Sequence, residues 1–209
     1  MRNVLYDNHQ YLSNVFGWTI NIFMISQVQT WFEESYVNVT RERDFQKFSS
    51  FQYSGLGLVE KIAPDAKILD VGCGYNFLKP YFVNLIGIDP ACSDADLQIS
   101  IDDYQTNETF DVVLCLGSIQ FGTTDYVKMQ ISRVVSMLAA NGSIYWRSLA
   151  VVPEKTRIPV FEWSETVHKT MAEQFGCKLV DLQIDYFDQS QPDSQIVKVP
   201  RLFAQWIKI

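Results

Sequence analysis

Ile68-Leu69-Asp70-Val71-Gly72-Cys73-Gly74-Tyr75-Asn76 is an apolar run closing on a glycine-rich turn, and Leu85-Ile86-Gly87-Ile88-Asp89-Pro90 follows after eight residues. A near-continuously apolar stretch such as Lys67 to Val71 is what a strand needs inside a parallel sheet covered on both faces. Gly72 and Gly74 can take positive φ, and they let a ligand approach with no Cβ in the way. Asp89 ends the second apolar run, where its carboxylate is placed to accept hydrogen bonds from a ribose diol. A turn first and an acid about twenty residues later form a nucleoside-binding edge.

These residues resemble the first motif of the class I S-adenosylmethionine-dependent methyltransferases: an apolar run, an acid, any residue, then Gly-x-Gly-x-Gly. Asp70 stands at the acid, a position that in the family faces the methionine end of the cofactor, and Asn76 takes the place of the third glycine. The dinucleotide fingerprint Gly-x-Gly-x-x-Gly fits less well, because Phe77 stands where its last glycine would be. Phe110-Asp-Val-Val-Leu-Cys-Leu-Gly-Ser-Ile-Gln-Phe121 is similar to the family's fourth motif, in which a strand opens on Phe-Asp and closes near the methyl group. The resemblance spans about residues 60 to 150. It implies an α/β fold, a three-layer Rossmann-like sandwich with a seven-stranded, mostly parallel sheet and an antiparallel last strand, preceded by an N-terminal helical cap. A single methyltransferase domain over 1–209 is expected, with the cap at 1–60 and the core at 61–209. The implied cofactor is S-adenosyl-L-methionine, held by Asp70, Gly72, Cys73, Gly74, Asn76, Asp89, Pro90, Asp102, Asp103, Tyr104, Leu116 and Gly117. Within that set Asp102 is assigned to the adenine amino group, Asp103 stands as its alternative, and Tyr104 is expected to stack on the ring.

A chain of 209 residues suits one domain with a real core, and 47% hydrophobic with 20% charged residues is a globular composition. Aromatic residues gather in the first fifty-odd positions, from Tyr6, Tyr11, Phe16 and Trp18 to Phe45, Phe48 and Phe51. Their spacing is helical and reads as core packing; the resemblance adds that helices before the first strand wall the acceptor pocket. With 17 basic against 24 acidic residues the net charge is −7, which argues against extended nucleic-acid binding. Cys73, Cys92, Cys115 and Cys177 show no C-x-x-C or zinc spacing, so reduced thiols in a cytoplasmic setting and no metal are expected. No signal-peptide h-region opens the chain, and Trp18 to Met24, interrupted by Asn21, is too short to span a bilayer.

Further along, Pro80 permits only an abbreviated helix between the first two strands. Leu97 to Ile101 reads as the third strand and Asp111 to Leu116 as the fourth, with Asp111 structural. Thr124 to Ala139 has the period of a helix capped by Thr123 or Thr124, with Val127, Ile131, Val134, Val135 and Leu138 toward the sheet. Asn141-Gly142 should end it before a fifth strand at Ser143 to Leu149. A helix at Glu162 to Phe175 and strands at Cys177 to Tyr186 and Arg201 to Ile209 complete the alternation.

Methyl transfer from a sulfonium is an in-line displacement with a good leaving group already present, so the protein contributes mainly orientation and exclusion of water. Gln120 stands where many small-molecule members carry histidine; it cannot act as a base, yet it can orient an acceptor. His9, on the expected cap, can reach the pocket, whereas His168 reads as a solvated face residue. Trp146 and Arg147 are placed to border the acceptor site, with Arg147 either a clamp for a carboxylate or phosphate or a surface residue paired with an acid. Leu116-Gly117-Ser118-Ile119 replaces the Asp/Asn-Pro-Pro-aromatic motif of amino methylation in DNA, and no Pro-Cys dipeptide supports carbon-5 chemistry on cytosine. The expected activity is methyl transfer to an O or N acceptor of a small molecule or polypeptide, the alternative being a methyltransferase-like binding or regulatory subunit without catalysis.

Overall fold

Strands form where the apolar runs lie. In the computed structural model, which describes residues 55–150, 159–190 and 196–209, the sequence yields β1 (Ile68–Val71), β2 (Leu85–Ile88), β3 (Phe110–Leu116), β4 (Leu138–Leu149), β5 (Cys177–Ser190) and β6 (Ile196–Lys208). Two α-helices, α1 (Thr124–Met137) and α2 (Glu165–Gln174), belong to the same set. The chain divides into two compact units, Met1–Glu42 and Arg43–Ile209, and everything described belongs to the second. The aromatic cap up to residue 54, His9 included, lies outside the described residues.

The six strands form one sheet in the order β2-β1-β3-β4-β6-β5. β2, β1, β3 and β4 are parallel, and β6 runs antiparallel between β4 and β5. A seventh strand, expected at Leu97 to Ile101, is reduced to a single parallel bridge between Ile88 and Leu97. The reason is local: the Ser100 carbonyl accepts from the backbone N–H of Asp103 and of Tyr104, and this turn ends the extended run. Leu97 is therefore left 45% exposed at the sheet edge.

Alternation along the strands divides the core. Leu69, Val71, Val113, Cys115, Ile144 and Trp146 face α1 and α2, while Ile68, Leu85, Val112, Leu114 and Leu116 face Leu56, Leu58, Leu78 and Phe82. The β1–β2 crossover contains only one 3-10 turn, Lys79–Tyr81, with Pro80 in its first positions. In α1, Thr123 is the cap, its hydroxyl accepting from the Tyr126 N–H. The helix passes straight into β4, and Lys208 on β6 donates to the Val135 and Leu138 carbonyls at 2.9 and 2.7 Å, satisfying groups the helix leaves open. No helix among the described residues is long and apolar enough to cross a membrane.

Two expectations fail on the helical face. His168 is fully buried, not solvated: it stacks on Trp163 with centroids 4.4 Å apart and its Nε2 lies 3.0 Å from the Ser148 hydroxyl. Trp146 packs against Trp206 and Trp163 at 4.6 and 5.4 Å, so it lies inside the core and does not border an acceptor. Strand parity explains both, since Ile144, Trp146 and Ser148 share the face on which α2 lies.

Burial among three indoles lowers the His168 pKa from 6.5 to about 3, because its Nδ1 has no partner among the described residues to accept a second proton. The unfolded chain then binds the proton first, so stability is complete above pH 6.5 and is lost as pH falls toward 3. Between pH 7 and 5 the loss from this group should be about 2 kcal/mol. Urea unfolding of the wild type and His168→Phe at both pH values measures it, with the difference between them disappearing if His168 is not held neutral.

Candidate functional site

At the carboxyl ends of β1 and β2 two buried acids face the glycine turn. Asp89 is occupied by backbone: its Oδ2 accepts from the Gly74 N–H at 3.0 Å, and its Oδ1 from Ala91 and Cys92 at 2.8 and 2.9 Å. Of roughly four lone-pair directions on a carboxylate, three are filled, which leaves one for a sugar hydroxyl. The turn is tied to β2 a second time, through the Gly72 and Cys73 N–H groups donating to the Ile88 carbonyl.

Glycine is required here for two different reasons. Gly72 has φ 69°, and a Cβ on it would lie 2.4 Å from that of Ser118, so the space it vacates is filled by the β3 loop and not by a ligand. Gly74 has φ 55° and lies against Asp89. Asn76 also has a φ of 55°. Asparagine enters the left-handed region more readily than other side chains, so the third position of the motif keeps a glycine-like conformation without glycine. Its amide fits because Gly87 opposite has no Cβ, which would otherwise sit 2.5 Å from Asn76 Oδ1.

Asp70 differs from its neighbour. It is 3% exposed, and no described residue donates a hydrogen bond to its carboxylate. Desolvation raises its pKa from 3.8 to about 7, the Arg147 guanidinium pulls it back and the Asp89 charge raises it further. The register Asp70↔Leu114↔Tyr145 puts Arg147, two residues on, on the same face of the sheet. There Arg147 donates to the Leu116 carbonyl and lies beside Gly117, where φ is 102°.

The remaining sequence-derived candidates separate. Leu116 and Gly117 end β3 beside this face, with Leu116 packed against Gly55. Pro90 is half-buried just past Asp89, and Cys73, held in the turn, has its thiol raised by burial. Gln120 is committed at both ends, its Nε2 donating to the Gly117 carbonyl at 3.0 Å and its Oε1 accepting from the Leu149 N–H at 3.2 Å. It latches the β3 loop to β4. Tyr104, expected to stack on a ligand ring, belongs to the buried core cluster that includes Ile101 and Phe110. Asp103 accepts from the Ser100 hydroxyl at 2.8 Å. Asp102, half-buried, accepts from the Tyr126 hydroxyl and from Gln130 Nε2. Tyr126, Gln130 and Ser118 carried no signal in the sequence beyond helical or loop position, because their partners are more than twenty residues away or across the sheet. Among the described residues no group of three or more His, Cys, Asp or Glu is placed to hold a metal ion.

No protein-family model matches the chain, and no curated protein matches it in sequence. Solved structures do match. One is a 1,6-didemethyltoxoflavin N1-methyltransferase of Burkholderia thailandensis with bound 1,6-didemethyltoxoflavin and S-adenosylhomocysteine, at 14% identity and TM-score 0.61, covering 100% of this chain and 93% of that one. Another is the magnesium protoporphyrin IX methyltransferase of Synechocystis PCC 6803 with bound S-adenosylhomocysteine, at 12% identity and TM-score 0.64, covering 89% and 100%. A third is the N-methyltransferase NodS of Bradyrhizobium japonicum WM9 with S-adenosylhomocysteine, at 16% identity and TM-score 0.53, covering 83% and 97%. The chain has the fold of these methyltransferases, a mostly parallel sheet with an antiparallel last strand, built with six strands.

Because folding raises the Asp70 pKa, this carboxyl contributes stability that is complete below 3.8 and lost as pH rises through about 7. Asp70→Asn should therefore stabilise the ligand-free protein at pH 8, by on the order of 4 kcal/mol, and the advantage should shrink to roughly half by pH 5. Denaturant midpoints at the two pH values give the answer; a variant less stable than wild type at pH 8 contradicts the assignment of an uncompensated buried charge.

Proposed function

We propose that the chain is an S-adenosyl-L-methionine-dependent methyltransferase, and the observation that carries this is Asp70. A carboxylate that is buried beside a glycine turn, accepts no hydrogen bond among the described residues and is only partly offset by the Arg147 guanidinium has room for a further cation. The methionine end of S-adenosylmethionine offers an ammonium and a sulfonium, and the single open lone pair of Asp89 suits a ribose hydroxyl. The residues present thus fit the cofactor that the three structural neighbours bind in the form of S-adenosylhomocysteine.

When bound, the cofactor supplies a methyl group on a sulfonium that departs as a neutral thioether. The chain's own part is to hold and to shield. Asp70 neutralises the cationic end, Asp89 keeps the turn closed over the nucleoside, and the Gln120 latch fixes the β3 loop on which an acceptor would rest. A small-molecule acceptor, methylated on O or N, is the reading supported by the toxoflavin and porphyrin enzymes that share the fold. The four free thiols suit a reducing cytoplasm. The use of Gln120 as a scaffold latch, with both its amide nitrogen and its oxygen already bonded to backbone, favours as a second reading a binding subunit that keeps the cofactor without turnover.

Isothermal titration of the full chain with S-adenosylmethionine, S-adenosylhomocysteine and NAD tests the proposal. Both sulfur compounds should bind and NAD should not, and Asp70→Asn should weaken both by at least about 30-fold while remaining folded, as expected for a lost contact to a charged group. Absence of heat with either sulfur compound overturns the reading; binding without methyl transfer to any small-molecule pool selects the second.

A further inference from the structure

β5 is the outer strand of the sheet and, at 14 residues, is far longer than the short strands with which sheet edges are usually closed off. Among the described residues it pairs with β6 alone, and its middle is open on both faces: Gln183 and Asp185 are exposed on one, Ile184 at 54% and Tyr186 at 57% on the other. The phase of its backbone is fixed by β6. The Ala150 N–H donates to the Pro200 carbonyl, so Pro200, Leu202 and Ala204 turn their backbone groups toward β4, while Arg201, Phe203 and Gln205 turn theirs toward β5. Asp181, Gln183 and Asp185, opposite the latter three, therefore point their backbone groups inward. Leu182, Ile184 and Tyr186 present theirs outward, in keeping with the Tyr186 N–H, which donates to the Asp185 carboxylate at 2.7 Å and not to β6.

An open row of this kind is a template for another strand, and this one is complementary to itself. We propose that β5 pairs antiparallel with β5 of a second copy of the chain, with Ile184 on the two-fold axis. Leu182 then faces Tyr186 of the second copy, so the three outward residues of each chain exchange backbone hydrogen bonds. Their apolar side chains meet as one stripe on the face that α2 covers further down the strand. On the other face Gln183 lies across from Asp185 of the second copy, an amide donor against a carboxylate. Neighbouring registers fail. Centring the pair on Gln183 sets Asp181 against Asp185, and centring it on Asp185 sets two carboxylates together. Centring it on Leu182 brings Ile184 against Val180, where the irregularity between Leu179 and Asp181 breaks the ladder. The isologous pair makes one continuous sheet from two. Its contact is narrow, so the dissociation constant should be on the order of 10 μM. This inference does not depend on the cofactor reading.

Sedimentation equilibrium of the full chain from about 1 to about 300 μM tests it. Wild type should pass from monomer to dimer over that range. Ile184→Lys, which sets two ammonium groups on the axis, should weaken association by about 100-fold or more while leaving the urea midpoint of the dilute protein unchanged, because the side chain is exposed. Ile184→Cys gives a second readout. Facing residues of a hydrogen-bonded antiparallel pair have Cα atoms about 5.5 Å apart, within the range of a disulfide. With oxidised glutathione as the two-electron acceptor, Ile184→Cys should cross-link into a dimer above the background set by the four native thiols, and Gln183→Cys, off the axis, should not. A monomer at every concentration overturns the inference. So does a dimer that Ile184→Lys leaves intact, or one that cross-links through Gln183→Cys and not through Ile184→Cys.

Discussion

The carboxylate of Asp89 accepts three backbone N–H bonds, and the shape of the site depends on them. In a parallel α/β fold a crossover helix normally sets where one strand's turn lies relative to the next strand. Here residues 72–84 contain one 3-10 turn. Side chains replace the helix: Asp89 grips Gly74, and Asp96 Oδ2 accepts both from the Gly87 N–H at 2.8 Å and from Lys79 at 2.9 Å. The same substitution recurs at the loop from Ser100 to Tyr104, where α1 side chains stand in for a lost strand. Economy of regular structure at this edge of the sheet is offset by polar side-chain bonds.

The tightness of that turn has an electrostatic result. Closing it buries Asp70 beside Asp89, so two carboxylates share a low-dielectric corner with the Arg147 guanidinium as counter-charge to Asp70. Asp89 is stabilised by amide dipoles, whereas Asp70 has none among the described residues. The asymmetry assigns distinct tasks to chemically identical groups: one maintains the backbone, and the other stays available. A protein selected for stability alone would place asparagine at the second position.

The local code was readable wherever one residue type and its neighbours decide the outcome. Apolar runs located β1, β2 and β3, Thr123 located the start of α1, and Pro80 announced the abbreviated crossover. The alternating run at Leu97 to Ile101 was misread, because its pattern is that of a strand while the competing Ser100 turn depends on hydrogen bonds no period reveals. His168 and Trp146 were placed on the wrong side, since an isolated polar or aromatic residue does not show which face its partner will cover; that is fixed by pairing with residues 201–207 far along the chain. Tyr104 and Gln120 show a related ambiguity, each engaged by the scaffold as well as placed near the strand ends. Both can serve ligand or scaffold, and only the long-range partner decides.

The position of β6 has a consequence for how the chain reaches this state. Among the described residues β5 pairs with β6 alone, and β6 joins it to β4. During synthesis β1 to β4 can assemble as they emerge, yet β5 has no strand to join until the residues from Ile196 onward have been made, and the end of α1 lacks its Lys208 donor until then. Trp146 and Trp163 are meanwhile without Trp206, so a wide aromatic surface awaits the β6 segment. Such long-range closure makes nascent intermediates prone to association and places the slowest step of folding at the docking of β6.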